Sequence, residues 1–530
     1  MAEHTFHPRN EWHLQPPGID LIVFGFIFVL ISITLPFHDP DFYWHIITGE
    51  YIYSTRTLPT VDIFSFTMAG QPWVLHEWLS QLILYWVSAT FGLPGLRVLT
   101  GLLFIPAFYL VNRLSYTLNT NLFRTTMLTG VFMILSFPSC SPRPQLFTFL
   151  FLAIFVYVLF RMKYLDDRSK LIILPLIMVI WANAHGGYLI GLVLMGIIWA
   201  TELAQAFFNK SRGEALPGHF KALSITLVVT IMASLLTPYT YELWLYPFQV
   251  MGLDAAKVFI TEWQSPDFHD LIYQAYLAAI MAYGAVLVYS SRKPDLTEAA
   301  LSGSFIFLGF LATRNIPLTV LVIVPLFALF ARHIAFASSG QHLAPEVSTS
   351  INQDSMFFDR SSPSKPDPVK NQSGIEGWVF ISLCVIAAIL IYRNEEQQDP
   401  AEKLNETLPV AAVEFIKENN ITGRMFNNYN YGGFLIHEFY PDQKVFIDGR
   451  ADMYGDELMW EYMYIYNGGE NWKELFDKHS IDYALVGKQA PISQLLQLSG
   501  EFVSVHEDSG HILLVRKIQK YEQIIEKYAQ

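Results

Sequence analysis

Residues 76–91 read HEWLSQLILYWVSATF. The stretch is apolar enough to enter a bilayer. With His76, Glu77 and Gln81 at its start, it suits equally an amphipathic helix lying along the membrane surface. The choice sets the parity of every later crossing, and so the face on which each polar loop falls.

The surrounding chain has the composition of an integral membrane protein. Of its 530 residues 52% are hydrophobic and only 15% charged, against roughly 25% charged in soluble domains, and the mean hydropathy is +0.31. Segments of the length a spanning helix needs occur at about 20–37, 94–113, 122–138, 145–163, 170–183, 187–208, 220–236, 271–290, 298–312, 315–333 and 376–392. Residues 20–37 lack a following small-residue cleavage site and read as an uncleaved signal anchor.

Four loops carry the lysines and arginines: NRLSYTLNTNLFR (112–124), RMKYLDDRSK (161–170), NKSRGEALPGHFK (209–221) and SSRKPD (290–295). The positive-inside rule places all four in the cytoplasm. The helix count permits this only if 76–91 does not cross. Eleven crossings then leave the N-terminus cytoplasmic and the C-terminal domain outside. Every polar motif falls on the outer face as a result: HDPDFYWH (38–45), HEW (76–78), SPRPQ (141–145), NAHGG (183–187), TEWQSPDFHD (261–270) and TRNIP (313–317). Polar groups gathered at one membrane interface indicate a cavity there.

The expected organisation is a transmembrane bundle over 1–335, a disordered cytoplasmic linker rich in Ser, Pro and Asp over 336–375, a last transmembrane helix at 376–392, and a soluble α/β domain over 400–530. In that domain LPVAAVEFIKENN (408–420) reads as an amphipathic helix. KVFIDG (444–449), YALVG (483–487), FVSVHED (502–508) and HILLVR (511–516) read as strands. Residues 401–530 hold 20 acidic and 12 basic residues, a net of −8 within a chain total of −13, which argues against a nucleic-acid partner. Cys140 and Cys384 form neither a disulfide framework nor a zinc spacing. No internal repeat and no nucleotide fingerprint is present.

Several outer residues carry chemistry. Asp39-Pro40 starts a helix as an N-cap with proline in the first position. Asp41 and His45, four apart, share a face of that helix. A carboxylate partly desolvated beside Phe42 and Trp44 has a raised pKa and can take a proton from an acceptor, and an Asp-x-Asp pair can instead hold a divalent cation. His76 and Glu77 are placed to reach the same cavity, or to snorkel from an interfacial helix. Arg143, between two prolines, is a headgroup anchor or a phosphate binder. Asn183 and His185 sit at a polar break before Gly186-Gly187. Glu262 and Trp263 close a long outer loop of the kind that forms lids and binding loops, and Arg314 and Asn315 lie between two spans. Asp448-Gly449 reads as a turn, or as a functional group after a strand.

These residues in this order resemble the GT-C superfamily of membrane glycosyltransferases, which includes protein mannosyltransferases, lipid A aminoarabinose transferases and oligosaccharyltransferases. The resemblance lies in the acidic motif opening the first outer loop, the surface helices of that loop (about 42–56 and 76–91), the basic loops on the other face, and the soluble domain after the bundle. More narrowly, DPDFYWHIITGEYI, RPQLFTFLF, WANAHGG and RNIP are similar to a bacterial group of GT-C-like proteins. The resemblance implies an α-helical polytopic bundle of about 11 transmembrane helices in the inner membrane, with juxtamembrane helices and a small α/β domain. It implies an inverting transfer from a polyprenyl-phosphate-linked sugar to a glycan, lipid or protein acceptor. Asp39 or Asp41 would be the catalytic base, with Arg143, His185 and Arg314 on the donor phosphate. His45, His76, Glu77, Asn183, Glu262, Trp263 and Asn315 would line the substrate cavity. The competing readings are a non-catalytic transporter or flippase of lipid-linked glycans, and an assembly protein acting through its outer domain. The polar groups sit at the rim rather than the midplane, which favours the enzyme over a transporter.

Overall fold

The computed structural model describes residues 18–35, 39–208, 216–334 and 407–529. The expected linker and the expected helix at 376–392 lie outside the described residues. Thirteen helices build the first part: α1 (Ile19–Thr34), α2 (Asp41–Thr55), α3 (Trp78–Asn119), α4 (Leu122–Leu135), α5 (Gln145–Leu165), α6 (Ile173–Ala184), α7 (Tyr188–Phe208), α8 (Phe220–Ala233), α9 (Glu242–Met251), α10 (Asp254–Phe259), α11 (Leu271–Tyr289), α12 (Leu296–Leu311) and α13 (Ile316–Ala331). Ten of them coincide with the ten spans expected between residues 20 and 333. Five are long and apolar enough to cross a membrane, and five more are shorter apolar helices. The chain is a helical membrane protein with a small α/β domain. Large apolar side chains such as Ile172, Leu176, Val228, Met281 and Phe307 project outward, as lipid-facing positions do.

The segment 76–91 is the first part of α3. The helix breaks at Gly92, whose φ of 62° and ψ of −159° suit glycine, and continues with Pro94 through the expected span. The segment expected along the surface and the segment expected to cross are thus separate rods. α2 packs on the first rod at backbone contact: a Cβ on Gly49 would lie 2.2 Å from the Gln81 carbonyl oxygen and 2.6 Å from Tyr85 Cβ. Gly49→Val is therefore expected to push α2 off α3 and destabilise the fold by about 1–3 kcal/mol. Thermal unfolding in detergent checks this, with Gly25→Val, at a site open around its Cβ position, expected to unfold like the wild type.

The basic loops knit one end of the bundle. Arg113 pairs with Asp20 (3.1 Å), Lys163 with Asp295 (2.9 Å) and Arg292 with Glu298 (2.6 Å). Asp295 and Glu298 also form a capping box that starts α12. The acidic and histidine motifs gather at the opposite helix ends.

The α/β unit comprises α14 (Val410–Glu418), β1 (Met425–Asn427), α15 (Gly432–Phe439), α16 (Ala451–Tyr466), α17 (Trp472–Lys478), β2 (Tyr483–Gly487), α18 (Pro491–Leu498), β3 (Phe502–Glu507), β4 (His511–Arg516) and α19 (Glu522–Tyr528). The sheet order is β1-β2-β4-β3, with β1 parallel to β2 and the other pairs antiparallel. Three expected strands form. KVFIDG does not, and the short β1 takes the sheet edge instead. The reason lies in its hydrogen bonds. Asn427 accepts from the Phe446 N–H (2.8 Å) and donates to the Ile447 carbonyl (2.8 Å). Val445 exchanges backbone bonds with Phe64 and Phe66 of the loop between α2 and α3.

That exchange reflects a shared core. Phe42, Trp44, Phe64, Trp73 and Leu75 pack in one hydrophobic cluster with Phe434, Val445, Phe446 and the strands of the α/β unit. α2, the loop between α2 and α3, and the C-terminal unit therefore share one hydrophobic core.

Candidate functional site

The site begins at the start of α2. Asp39 Oδ1 accepts from the Asp41 N–H (3.0 Å) and so caps the first N–H of α2, whose N-cap position is Pro40, one residue beyond the expected one. Asp39 Oδ2 accepts from Arg143 Nη1 (2.9 Å) and lies 3.4 Å from Ser141 Oγ. Arg143 stands in the tight turn before α5, between Pro142 and Pro144. Its Nη2 is 3.3 Å from Asp41 Oδ2, and its Nη1 is 3.2 Å from Glu262 Oε2. Glu262 Oε1 is in turn 3.6 Å from Arg314 Nη1, and the Arg314 guanidinium covers the Trp263 ring at 4.7 Å. Thr313 ties these loops together, its N–H donating to the Gln264 carbonyl (3.0 Å) and its hydroxyl to the Glu262 carbonyl (3.2 Å). Asp39, Arg143, Glu262 and Arg314 line a cavity of about 200 Å³ with Ser139, Ser141, Gln145, Thr261, Tyr273 and Thr313.

Three carboxylates and two guanidiniums in one partly buried site cannot all keep ordinary pKa values. Burial pushes the Asp41 carboxyl up to about 7. Arg143 opposes the rise, and the charges of Asp39, Glu262 and Asp448 reinforce it. Burial also works against the ionised Glu262, but Arg143 and Arg314 outweigh it and hold that carboxyl below its usual range.

A second group adjoins the first. The Glu77 carboxylate lies between three imidazoles: His76 Nε2 and His185 Nε2 are each 3.4 Å from Oε1, and His45 Nδ1 is 3.7 Å from Oε2. The surrounding hydrogen bonds assign the protons. His76 Nδ1 faces the Val74 carbonyl (3.4 Å) and its Nε2 faces Glu77 (3.4 Å), two acceptors that favour the protonated ring. Burial opposes this charge, yet Glu77 raises the His76 pKa. His185 Nδ1 accepts from the Gly187 N–H (2.9 Å), which leaves the proton on Nε2, toward Glu77. Burial lowers His185 to about 4 and His45 to about 3, and the Arg143 charge adds to both. Both rings are neutral near pH 7. The site thus sets His76 against the Glu77 carboxylate, which favours its protonation, beside a neutral N–H donor, His185.

Asn183 and Asn315 act as ties. Asn183 Oδ1 accepts from Trp78 Nε1 (2.9 Å) while its Nδ2 donates to the Val179 and Leu236 carbonyls (2.8 and 2.9 Å). Asn315 Nδ2 donates to the Leu308 carbonyl (3.1 Å). The other residues expected in the cavity converge in the two groups.

The α/β unit supplies residues that sequence reading left out of the site. A Cβ on Gly449 would lie 2.1 Å from Asp41 Oδ1, and one on Gly433 would lie 2.5 Å from the Pro40 carbonyl oxygen. Both glycines are therefore needed for backbone to reach the start of α2. Asp448 is not a surface turn residue. It is fully buried and forked by Arg450, with Nε–Oδ1 and Nη2–Oδ2 both 2.7 Å. Arg450 also reaches Asp62 of the loop between α2 and α3 (2.8 Å) and lies over the Trp73 ring at 4.6 Å. Burial holds the Tyr429 phenol far above its usual range, with the charges of Asp41 and Asp448 adding to the effect. The only local sign of this in the sequence is a charged Asp-Gly-Arg directly after the apolar Val445-Phe446-Ile447.

No protein-family model matches the chain, and no curated protein matches it in sequence. Solved structures do match its fold. Archaeal oligosaccharyltransferase AglB from Archaeoglobus fulgidus, in complex with an inhibitory peptide and a dolichol-phosphate, superposes with a TM-score of 0.52 at 11% identity, over 88% of this chain and 69% of that one. The apo form of the Archaeoglobus fulgidus oligosaccharyltransferase superposes with a TM-score of 0.53 at 10% identity, over 90% and 70%. At this identity the likeness is one of fold alone: the chain shares the fold of these oligosaccharyltransferase structures over most of its length.

Proposed function

We propose that the protein is an inverting glycosyltransferase that moves a sugar from a polyprenyl-phosphate-linked donor to an acceptor at the extracytoplasmic membrane face. The observation that carries this reading is Asp41. Its carboxyl titrates near neutral pH, at the mouth of an apolar bundle, beside a cavity lined by Arg143 and Arg314. A base poised near working pH is what proton removal from a hydroxyl or amine needs. Asp39 suits the role less. One of its oxygens caps α2 and the other accepts from Arg143.

In the proposed step an acceptor O–H or N–H gives its proton to Asp41. The acceptor lone pair forms a bond to the anomeric carbon from the face opposite the phosphate. The carbon–oxygen bond to phosphate breaks, and its electron pair leaves on the polyprenyl phosphate, which needs cationic stabilisation rather than a proton. Arg314 is the cation best placed for this, because its ion pair to Glu262 is long. The His185 Nε2–H supplies a neutral donor. The fold neighbour crystallised with a dolichol-phosphate and a peptide supports a lipid-linked donor and an outer acceptor as the substrates here.

Mass spectrometry of envelope glycans and lipid-linked sugars, with and without the protein, tests the proposal. Loss of one glycan mass with accumulation of one polyprenyl-phosphate sugar on the outer leaflet is expected. Accumulation confined to the cytoplasmic leaflet would instead indicate transport and overturn the enzymatic reading.

A further inference from the structure

The Asp-Pro-Asp motif raises the question of a divalent cation, and the geometry around it gives an answer. A cation held by Asp39 and Asp41 together with a third carboxylate would stand among their oxygens, about 2.0–2.6 Å from each. The third carboxylate is present: Glu262 arrives from a different segment of the chain. Yet the space among the three belongs to the Arg143 guanidinium, with Nη1 at 2.9 Å from Asp39 and 3.2 Å from Glu262, and Nη2 at 3.3 Å from Asp41. Among the described residues no group of three or more His, Cys, Asp and Glu side chains is arranged to hold a metal ion.

The arginine is also hard to move. Prolines flank it on both sides. The backbone of its turn is tied by Arg143 N–H to the Ser141 carbonyl (2.7 Å) and by Leu146 N–H to the Arg143 carbonyl (3.1 Å). Its side chain is mostly buried. Swinging it out would leave three carboxylates without their shared partner, a strongly destabilising change. A guanidinium does not lose its charge at any working pH, and its fork can serve several carboxylate oxygens at once.

We propose that Arg143 is the resident cation of this site, standing where a divalent metal would stand among Asp39, Asp41 and Glu262, so that the protein works without a bound metal. The statement about activity rests on the glycosyltransferase reading; the statement about occupancy does not. Arg143 fixes the three carboxylates to one another, and through them the start of α2, the turn before α5 and the loop carrying Glu262. It carries one positive charge where a metal would carry two. Asp41 is left as a carboxylate ion-paired to Arg143 rather than a metal ligand, with lone pairs available to a proton.

The test has two independent readouts on the full-length protein purified in detergent. The first is metal. After treatment with chelating resin, elemental analysis is expected to find far less than one equivalent of divalent metal per chain, and titration with Mn²⁺ followed by electron paramagnetic resonance is expected to show no tight site. Arg143→Ala opens the space, and the folded variant is expected to gain one Mn²⁺ site that is lost again in Arg143→Ala/Glu262→Gln. The second readout is transfer, expected to persist in excess EDTA. A stoichiometric metal in the wild type that is lost in Asp41→Asn would overturn the proposal. So would transfer abolished by EDTA and restored by Mn²⁺, or a folded Arg143→Ala that binds no Mn²⁺. If Arg143→Ala does not fold, the wild-type metal content decides. If no transfer is found under any condition, the glycosyltransferase reading fails, while the metal readout still decides the role of Arg143.

Discussion

Asp41→Asn is expected to lower sugar transfer by about 10²–10⁴-fold, the range lost with a general base, while the protein still folds. Asparagine keeps the shape and removes the proton acceptor. The wild-type pH dependence should carry the same signature. Since burial raises the Asp41 carboxyl to about 7, the base is protonated and inactive below that pH. kcat/KM should rise through a midpoint near 7, not near the ordinary aspartate value of about 4, and level off above it. Stability should run the other way. A raised pKa means that the folded state holds the proton more tightly, so this group's contribution to stability is full below the unfolded pKa and falls as pH rises through about 7. Asp41→Asn removes that loss, and at pH 8 its melting temperature should be no lower than that of the wild type. Asp39→Asn should do less harm. Asparagine caps a helix about as well as aspartate, and only one anion beside Arg143 is lost.

The largest effect on stability is expected at Arg450. Its guanidinium is buried between Asp448 and Asp62, each almost fully buried. Arg450→Met leaves both carboxylates without their shared cation and should destabilise the assembly of the α2–α3 loop and the α/β unit by about 3–5 kcal/mol. Limited proteolysis in detergent should then cut between α2 and α3 or release the C-terminal unit, under conditions that leave the wild type intact. Combining Arg450→Met with Asp62→Asn and Asp448→Asn removes the stranded charges and should recover much of the loss. No recovery would mean that packing of Arg450 on Trp73 and Phe64, rather than charge pairing, holds the two parts together.

The helical part was legible because lipid-facing helices are apolar on every side, so hydropathy alone marks ten of them. That α3 divides into two rods was legible in outline, since only the basic loops demanded a division there. Gly92 supplies the geometry. The site was half legible. Asp39 and Asp41 declare themselves through the helix-start pattern, Arg143 through its flanking prolines, and Glu262 and Arg314 through charge in otherwise apolar surroundings. What no local pattern shows is the α/β unit arriving on top. Gly449 meets Asp41, and Arg450 meets Asp62, across nearly the whole length of the chain. A glycine shows nothing in a sequence until the group it must approach is known. KVFIDG misled for a related reason. Its residues favour a strand, but its hydrogen bonds go to the Asn427 side chain and to the loop between α2 and α3.

The measurement that bears most directly on the assignment is donor turnover by the purified protein in lipid nanodiscs. Polyprenyl-phosphate sugars extracted from the source membrane would be supplied together with envelope acceptors, and products followed by mass spectrometry. Wild-type protein should convert one donor species to free polyprenyl phosphate with a matching glycosylated product, and Asp41→Asn should do so at least about 10²-fold more slowly. Equal turnover by the two proteins, or movement of donor across the bilayer without any glycosylated product, would contradict it.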